Sequence, residues 1–372
     1  MSRLLPLVLG AFALAACGLL TDLDGFTGGS GADAGPPDAT GDAPDPGGPI
    51  ADGGDGDAVD AEAGPATPPA PPTLVVAGGY DSIGDKDLDT VYSAVLHADG
   101  GLGPWRPGPT LPRPAKLYTR LAAVGDTFFV LDPAQVVSSK RTDDGVGSLT
   151  IEATHPDQYN ACAAAMGDTL LVTGGVSDGV PTAKVRAARR GSPLEWKDAT
   201  SLPVERQLHG CAASAGFAYV VGGKNKDGQH QDSVFMARRG ENGVLGAWTA
   251  TTPLPATNYW PRAVVMGNFL YVVGADWDAP IARAAVIFAP IGQDGTLGSW
   301  KLTTPLPKYV STAAVAAHGT RIVIAGGWDD KSLTDVLIAT ADPATGDLSG
   351  WTPVTPLPVG ASELGGAFVA PP

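Results

Sequence analysis

The chain has 372 residues, of which 50 are Gly and 34 are Pro, so close to a quarter of its positions punctuate regular structure, which excludes a mostly helical fold. The net charge is −15, and residues 18–72 hold 11 acids with no Lys or Arg, leaving 28 acids against 23 bases from residue 73 onward. Neither part offers the basic track that a nucleic-acid backbone requires, so nucleic acid is not an expected partner.

Residues 1–16 read as a targeting segment. Arg3 supplies a positive start, and the apolar run Leu4 to Ala16 is shorter than the ~20 residues needed to span a bilayer core as a helix. The run ends in Leu14-Ala15-Ala16-Cys17, which resembles the bacterial lipobox. That resemblance implies cleavage before Cys17, lipid modification of its thiol, and membrane lipid as a partner. Gly18 after the cysteine fits the sorting pattern of the outer membrane, placing the protein in the bacterial cell envelope, outside the cytoplasm.

Residues 17–72 then read as the lipidated Cys followed by a disordered tether. Of residues 18–72, 13 are Gly and 10 are Pro, Asp and Ala make up most of the remainder, and Phe26 is the only aromatic. Such a stretch cannot bury enough apolar surface to offset its chain entropy. The Asp-rich piece from Asp52 to Asp60 invites a calcium-loop reading. Counted from Asp55, however, the sixth position is Asp60 where the loop requires Gly, so the register fails.

Residues 73–372 contain an internal repeat. Gly246-Ala247-Trp248 through Thr251-Thr252-Pro253-Leu254-Pro255 recurs as Gly298-Ser299-Trp300 through Thr303-Thr304-Pro305-Leu306-Pro307, and again as Gly350-Trp351 through Thr355-Pro356-Leu357-Pro358. Trp196 with Leu202-Pro203 and Trp105 with Leu111-Pro112 are weaker copies, and Leu149 to Pro156 is a copy that has lost its Trp. Within a unit, runs such as Ala263-Val264-Val265-Met266 and Phe269-Leu270-Tyr271-Val272-Val273, separated by a Gly turn, predict a hairpin of buried strands. A third strand such as Ser233 to Arg238 follows, and the Trp marks the fourth. Gly78-Gly79, Gly174-Gly175, Gly222-Gly223 and Gly326-Gly327 close the second strand. Four-stranded units of ~50 residues predict a β-propeller.

The glycine doublets, the apolar strand before them and the later Trp resemble the bacterial kelch-type repeats of the galactose oxidase central-domain superfamily. Leu131-Asp132-Pro133 and Gly274-Ala275 depart from the doublet pattern. The expected fold is all-β, a six-bladed kelch-like propeller. It starts on a second strand at Thr73 and ends on a first strand at Gly366 to Ala370, so its two ends should complete one blade.

Candidate functional residues follow from the repeat period. Trp105, Trp196, Trp248, Trp300 and Trp351 share one column and are expected in the core. Trp260, Trp277 and Trp328 fall outside it, in loops that ring one mouth of the central channel. Counting seven residues back from each hairpin Gly gives Tyr118, Asn160, His209, Trp260 and Thr312. Two residues on come Arg120, Cys162, Cys211, Arg262 and Ala314. Aromatic platforms beside Arg and amide groups suit a glycan or protein partner, periplasmic or extracellular, so Tyr118, Arg120, Asn160, His209, Trp260, Arg262, Trp277 and Trp328 form the candidate binding set. Cys162 and Cys211 share a column, so their side chains should project in the same sense and stay as two buried thiols, a disulfide being the alternative.

An enzyme is the rival class. A copper oxidase of the galactose oxidase kind needs paired His ligands, but His97, His155, His209, His230 and His318 are scattered through the repeat. Arg120, Arg206 and Arg262 could face a carboxylate as in a sialidase, but no Ser-x-Asp-x-Gly box accompanies them. His209 with Glu205 lacks a nucleophile-elbow motif. The reading is therefore a membrane-anchored, monomeric binding module, with no cofactor, metal or catalytic residue expected; a carbohydrate-active enzyme without an evident copper site is the alternative.

Overall fold

The computed structural model describes residues 70–371 apart from 116–118, 133–134, 154–157, 192–193, 242, 275 and 279–282. The expectations for the signal segment, Cys17, most of the tether and Tyr118 lie outside these residues. Each repeat folds by the same strand grammar. In one, Arg262–Met266 and Phe269–Val273 form an antiparallel hairpin, Val286–Pro290 pairs with the second strand, and Lys301–Thr303 pairs with the third. The described residues form six such sheets, each running from an inner to an outer strand in this order. They contain no helix.

Blade 1 is built from both ends of the sequence. Its inner strand Gly365–Val369 pairs in five-residue register with Thr73–Ala77, and Val91–Val95 and Arg106–Pro107 complete it. The inner strands of blades 2 to 6 are Arg120–Val124, Cys162–Met166, Gly210–Ala213, Arg262–Met266 and Ala314–His318. Each lies beside the inner strand of the next blade, and Ala314–His318 lies beside Gly365–Val369, so the ring closes. The fold is a six-bladed β-propeller. Near the axis the inner strands converge, and small side chains such as Ala163, Ala164, Ala212, Ala316 and Ala367 are what that crowded region admits.

The recurring residues of the repeat serve the seams between blades. The Leu of each Pro-Leu-Pro element is buried: Leu254, Leu306 and Leu357, with Leu202 and Leu111 in the weaker copies. The repeating Trp residues pack on the core as expected, and they also bond across the seams. Only Trp248 is buried; Trp105, Trp196, Trp300 and Trp351 are half-buried. The indole N–H of Trp248, Trp300, Trp351 and Trp105 donates to the carbonyl of Thr200, Thr252, Thr304 and Thr355 in the preceding blade, at 2.9 to 3.2 Å. The same Thr hydroxyls donate to the carbonyls of Leu245, Leu297, Leu348 and Leu102 in the Trp-bearing blade. Sequence periodicity identified the column; the hydrogen bonds show that, among the described residues, it forms a reciprocal clamp at these four seams.

A second lock lies nearer the axis on the face opposite the mouth. Tyr219 of blade 4 donates its hydroxyl to the Gly295 carbonyl of blade 5, and Tyr271 of blade 5 donates to Gly346 of blade 6, at 2.8 and 2.7 Å. Burial, reinforced by Asp294 and Asp347, pushes both phenols up to about 12, so they stay protonated donors.

At the mouth, the glycine doublets do what their sequence implied. Gly223 has φ +91°, and a Cβ there would come within 2.6 Å of the Gln207 carbonyl oxygen and of His209 Cβ. Blade 2, which lacks a doublet, runs its second strand on to Asp132, which pairs with Gln135, the first residue of the third strand, Gln135–Thr142. Asp132 closes that end by accepting from Arg113 Nη2 and the Gln135 N–H.

Candidate functional site

Two loop types build the mouth: those after the second strands, and those leading into the inner strands. Among the described residues, five blades each carry one residue of left-handed backbone geometry just before the inner strand: Asn160, Leu208, Trp260, Thr312 and Glu363, with φ between +52° and +60°. For residues with a side chain this conformation costs ~1–2 kcal/mol. Backbone bonds around the rim offset it, with Leu208 N–H donating to Asn160, Trp260 to Leu208, and Glu363 to Thr312.

This ring corrects the residue column in blade 4. In blade 3 the hairpin glycine, Gly167, has φ +63° and opens the turn; in blade 4 Gly216 is the second turn residue and has no positive φ. Counting back from it therefore lands one residue late. Leu208, not His209, is the rim residue.

The same one-residue shift overturns the expectation of two separate thiols. Cys162 pairs with Thr173, the last residue before its glycine doublet, whereas Cys211 pairs with Val220, one residue earlier than the corresponding Val221. Neighbouring positions on a strand point to opposite faces, so the two side chains turn toward each other across the seam of blades 3 and 4. They form a disulfide with Cα atoms 5.8 Å apart. It lines the neck of the channel, a cavity of about 80 Å³ to which Arg120 and Arg262 also contribute.

Arg120 and Arg262 begin the inner strands of blades 2 and 5, which are opposite in the ring of six. Each donates through Nε to a carbonyl of the following blade, Ala161 at 3.1 Å and Ala313 at 2.8 Å. Asn160 is half-buried on the rim. His209 is buried below it, with Nε2 2.9 Å from Thr173 Oγ1. Its burial, with Arg206 and Arg120 nearby, pushes the imidazole down to about 3, so it is neutral and shielded from a ligand at the mouth. Arg206 is likewise buried, donating to Ser233 Oγ, and desolvation pushes it down to about 10.

Trp260 is half-buried. Trp328 is also half-buried, paired with Ser311 and Ser332 in the mouth loops of blade 6. Trp277 sits in a two-residue strand opposite Asn258.

Trp260 belongs to a cluster that sequence reasoning missed. The rings of Tyr259 and Trp260 lie 5.1 Å apart, His230 packs on Tyr259 at 4.2 Å, and Lys224 Nζ sits 4.2 Å over the Tyr259 ring. Asp278 bonds His230 Nδ1 at 2.8 Å and accepts from Thr257 Oγ1 at 2.6 Å. The Thr257 and His230 hydrogen bonds hold the Asp278 carboxyl below the usual range. Adjacent aromatics at Tyr259-Trp260, outside the repeat column, were the available signal; Lys224, His230 and Asp278 come from separate loops. The cluster joins packed, tilted rings, a cation and an exposed carboxylate on the mouth of blades 4 and 5. Among the described residues, no group of three or more His, Cys, Asp and Glu is placed to hold a metal ion.

The solved structure of YjhT shares this architecture. It aligns with a TM-score of 0.56 at 14% identity, covering 77% of this chain and 99% of that one. At that identity the likeness shows the fold alone. No family model matches the chain. No curated protein matches it either.

Proposed function

We infer that this protein is a binding module of the bacterial cell envelope, anchored by a lipidated Cys17 and carried away from the membrane by the acidic tether of residues 18–72. Its repeats are of the kelch type, and its mouth face receives a glycan or protein partner without chemical turnover. The observation that carries this reading is the cluster of Lys224, His230, Tyr259, Trp260 and Asp278. Rings supply apolar area, while the ammonium and carboxylate supply direction, as at sites that orient a polar ligand. The enzyme alternative loses support because His209, the histidine it would use, is buried and neutral.

The anchor and the site have separate tests. Cys17→Ala should move the protein from membranes to the soluble extracytoplasmic fraction; continued membrane retention would remove the lipobox reading. For the site, a glycan array and a pull-down from envelope extracts compare wild type with a Tyr259→Ala, Asp278→Asn variant. Loss of a partner, by tenfold or more for an aromatic anchor worth ~2 kcal/mol, supports the site. A partner that binds both proteins equally places it elsewhere, and turnover of a captured glycan by wild type favours the enzyme.

A further inference from the structure

The seam between blades 3 and 4 departs from the two that follow it on the face away from the mouth. Between blades 4 and 5, Phe217 packs on the Gly295 turn and Tyr219 donates its hydroxyl to the Gly295 carbonyl. Between blades 5 and 6, Phe269 packs on the Gly346 turn and Tyr271 donates to Gly346. The equivalent second strand of blade 3 is Thr169–Thr173, which places Thr169 where Phe217 and Phe269 stand, and Leu171 where Tyr219 and Tyr271 stand.

The receiving turn is nevertheless kept. In blade 4, Gly240 N–H donates to Val244 and Gly243 N–H to Gly240; in blade 5, Gly292 donates to Thr296 and Gly295 to Gly292. Gly243 therefore stands in the place of Gly295, also at positive φ.

Arg239, bonded to Asp168, takes part of the place of Phe217, its Nη2 3.4 Å from where a Gly243 Cβ would stand. Beside it is a cavity of about 430 Å³, whose apolar wall includes Leu171, Ala187, Ala199 and Leu245, with Thr169 and Gly243 at its edge. A cavity of ~150 Å³ already admits benzene, so a substituted ring fits here with room to spare. Val244, exposed at the rim, extends the apolar wall. The charged residues that also line it are paired with opposite charges: Arg189 with Asp168, Arg190 with Asp126, Lys197 with Glu195, and Asp198 with Arg186. The cavity thus favours an uncharged group.

We propose that this seam binds a hydroxyphenyl group, its ring against Leu171 and Leu245 and its hydroxyl donating to the Gly243 carbonyl, in the manner of Tyr219 and Tyr271 in the next two seams. The group can come from a small phenol or from a tyrosine of a partner polypeptide. The site is separate from the mouth, so its test is independent of the binding reading above.

The experiment measures binding of p-cresol, toluene and a short tyrosine-containing peptide to the full chain by ligand-detected NMR and calorimetry. It includes Leu171→Tyr, which supplies the missing side chain from within, and Leu171→Val, which leaves the seat open. Expected results are p-cresol tighter than toluene by about fivefold, the net worth of one hydrogen bond, and binding lost in Leu171→Tyr but kept in Leu171→Val. Leu171→Tyr should also raise Tm, because the new ring fills the cavity. Binding by the peptide as well as p-cresol assigns the source to a polypeptide; binding by p-cresol alone assigns it to a small molecule. Three outcomes overturn the proposal: no binding of any probe to wild type, toluene equal to p-cresol, or p-cresol binding undiminished in a folded Leu171→Tyr protein.

Discussion

Reducing the disulfide between Cys162 and Cys211 perturbs the propeller without changing any other atom. The bridge spans 49 residues of sequence. Closing a loop of that length removes about 14 cal/mol/K of entropy from the unfolded chain, which amounts to about 4 kcal/mol at 25 °C. The folded unit, Ala66–Pro372, has roughly 300 residues. At ~2.1 cal/mol/K per residue its unfolding entropy is about 0.6 kcal/mol/K, so the loss lowers Tm by about 6 °C. The assay is a pair of thermal melts, oxidised and reduced, with the thiol count of each sample read by mass spectrometry after alkylation under native conditions. Both sulfurs line the channel neck but are largely buried, so reduction requires a strong phosphine or mild denaturant followed by refolding. A Cys162→Ala, Cys211→Ala variant should melt close to the reduced protein. Two alkylatable thiols in the natively isolated protein, or equal Tm before and after complete reduction, would refute the one-residue offset on which the pairing rests.

Deleting Gly365–Pro372 strips the inner strand from Thr73–Ala77 and opens the ring. Each buried backbone group left unpaired costs ~1–3 kcal/mol, and several rival a domain's whole stability of ~5–15 kcal/mol. The truncated protein should aggregate or melt far lower, whereas deleting residues 18–65, outside the folded unit, should leave Tm unchanged; equal Tm for the two deletions would contradict the closure. Gly223→Ala places a methyl group 2.6 Å from the Gln207 carbonyl at φ +91° and should cost more than ~2 kcal/mol in denaturant unfolding. Gly216→Ala, with nothing within 4 Å of its added Cβ, should stay within ~0.5 kcal/mol. His209 is depressed to about 3, so below pH ~6.5 the unfolded chain binds a proton that the folded chain refuses. Stability should therefore fall as pH drops from about 6.5 toward 3, and His209→Gln should flatten that slope in urea titrations; an unchanged slope would mean that His209 protonates freely in the folded state.

The repeat was legible in the sequence because its signals are local. A Gly turn between two apolar runs makes a hairpin whatever surrounds it, and the doublets mark positions where only Gly tolerates both positive φ and a close backbone neighbour. The pairing of the strand at Thr73 with the strand at Gly365 was legible for the same reason: each end offers one half of a known unit. The candidate site was less legible. Trp260 stood out by falling off the period, but Lys224, His230 and Asp278 meet it only because loops of blades 4 and 5 lie side by side, a proximity with no trace in local pattern. That the repeating Trp residues pack on the core was legible, but not their bonds across the seams, because periodicity reports which residues are equivalent and says nothing of what their polar atoms reach.

The number of blades, the strand order within each and the blade shared by the two ends were thus written into local sequence pattern. The facing of side chains was not; it was set when the strands paired. A β-strand alternates its faces with every residue, so the displaced Gly216 sends Cys211 toward Cys162 and takes His209 off the rim. An error of one in counting, invisible to a pattern with a period near 50, reverses a side chain's direction, and direction is what makes a disulfide or a binding site.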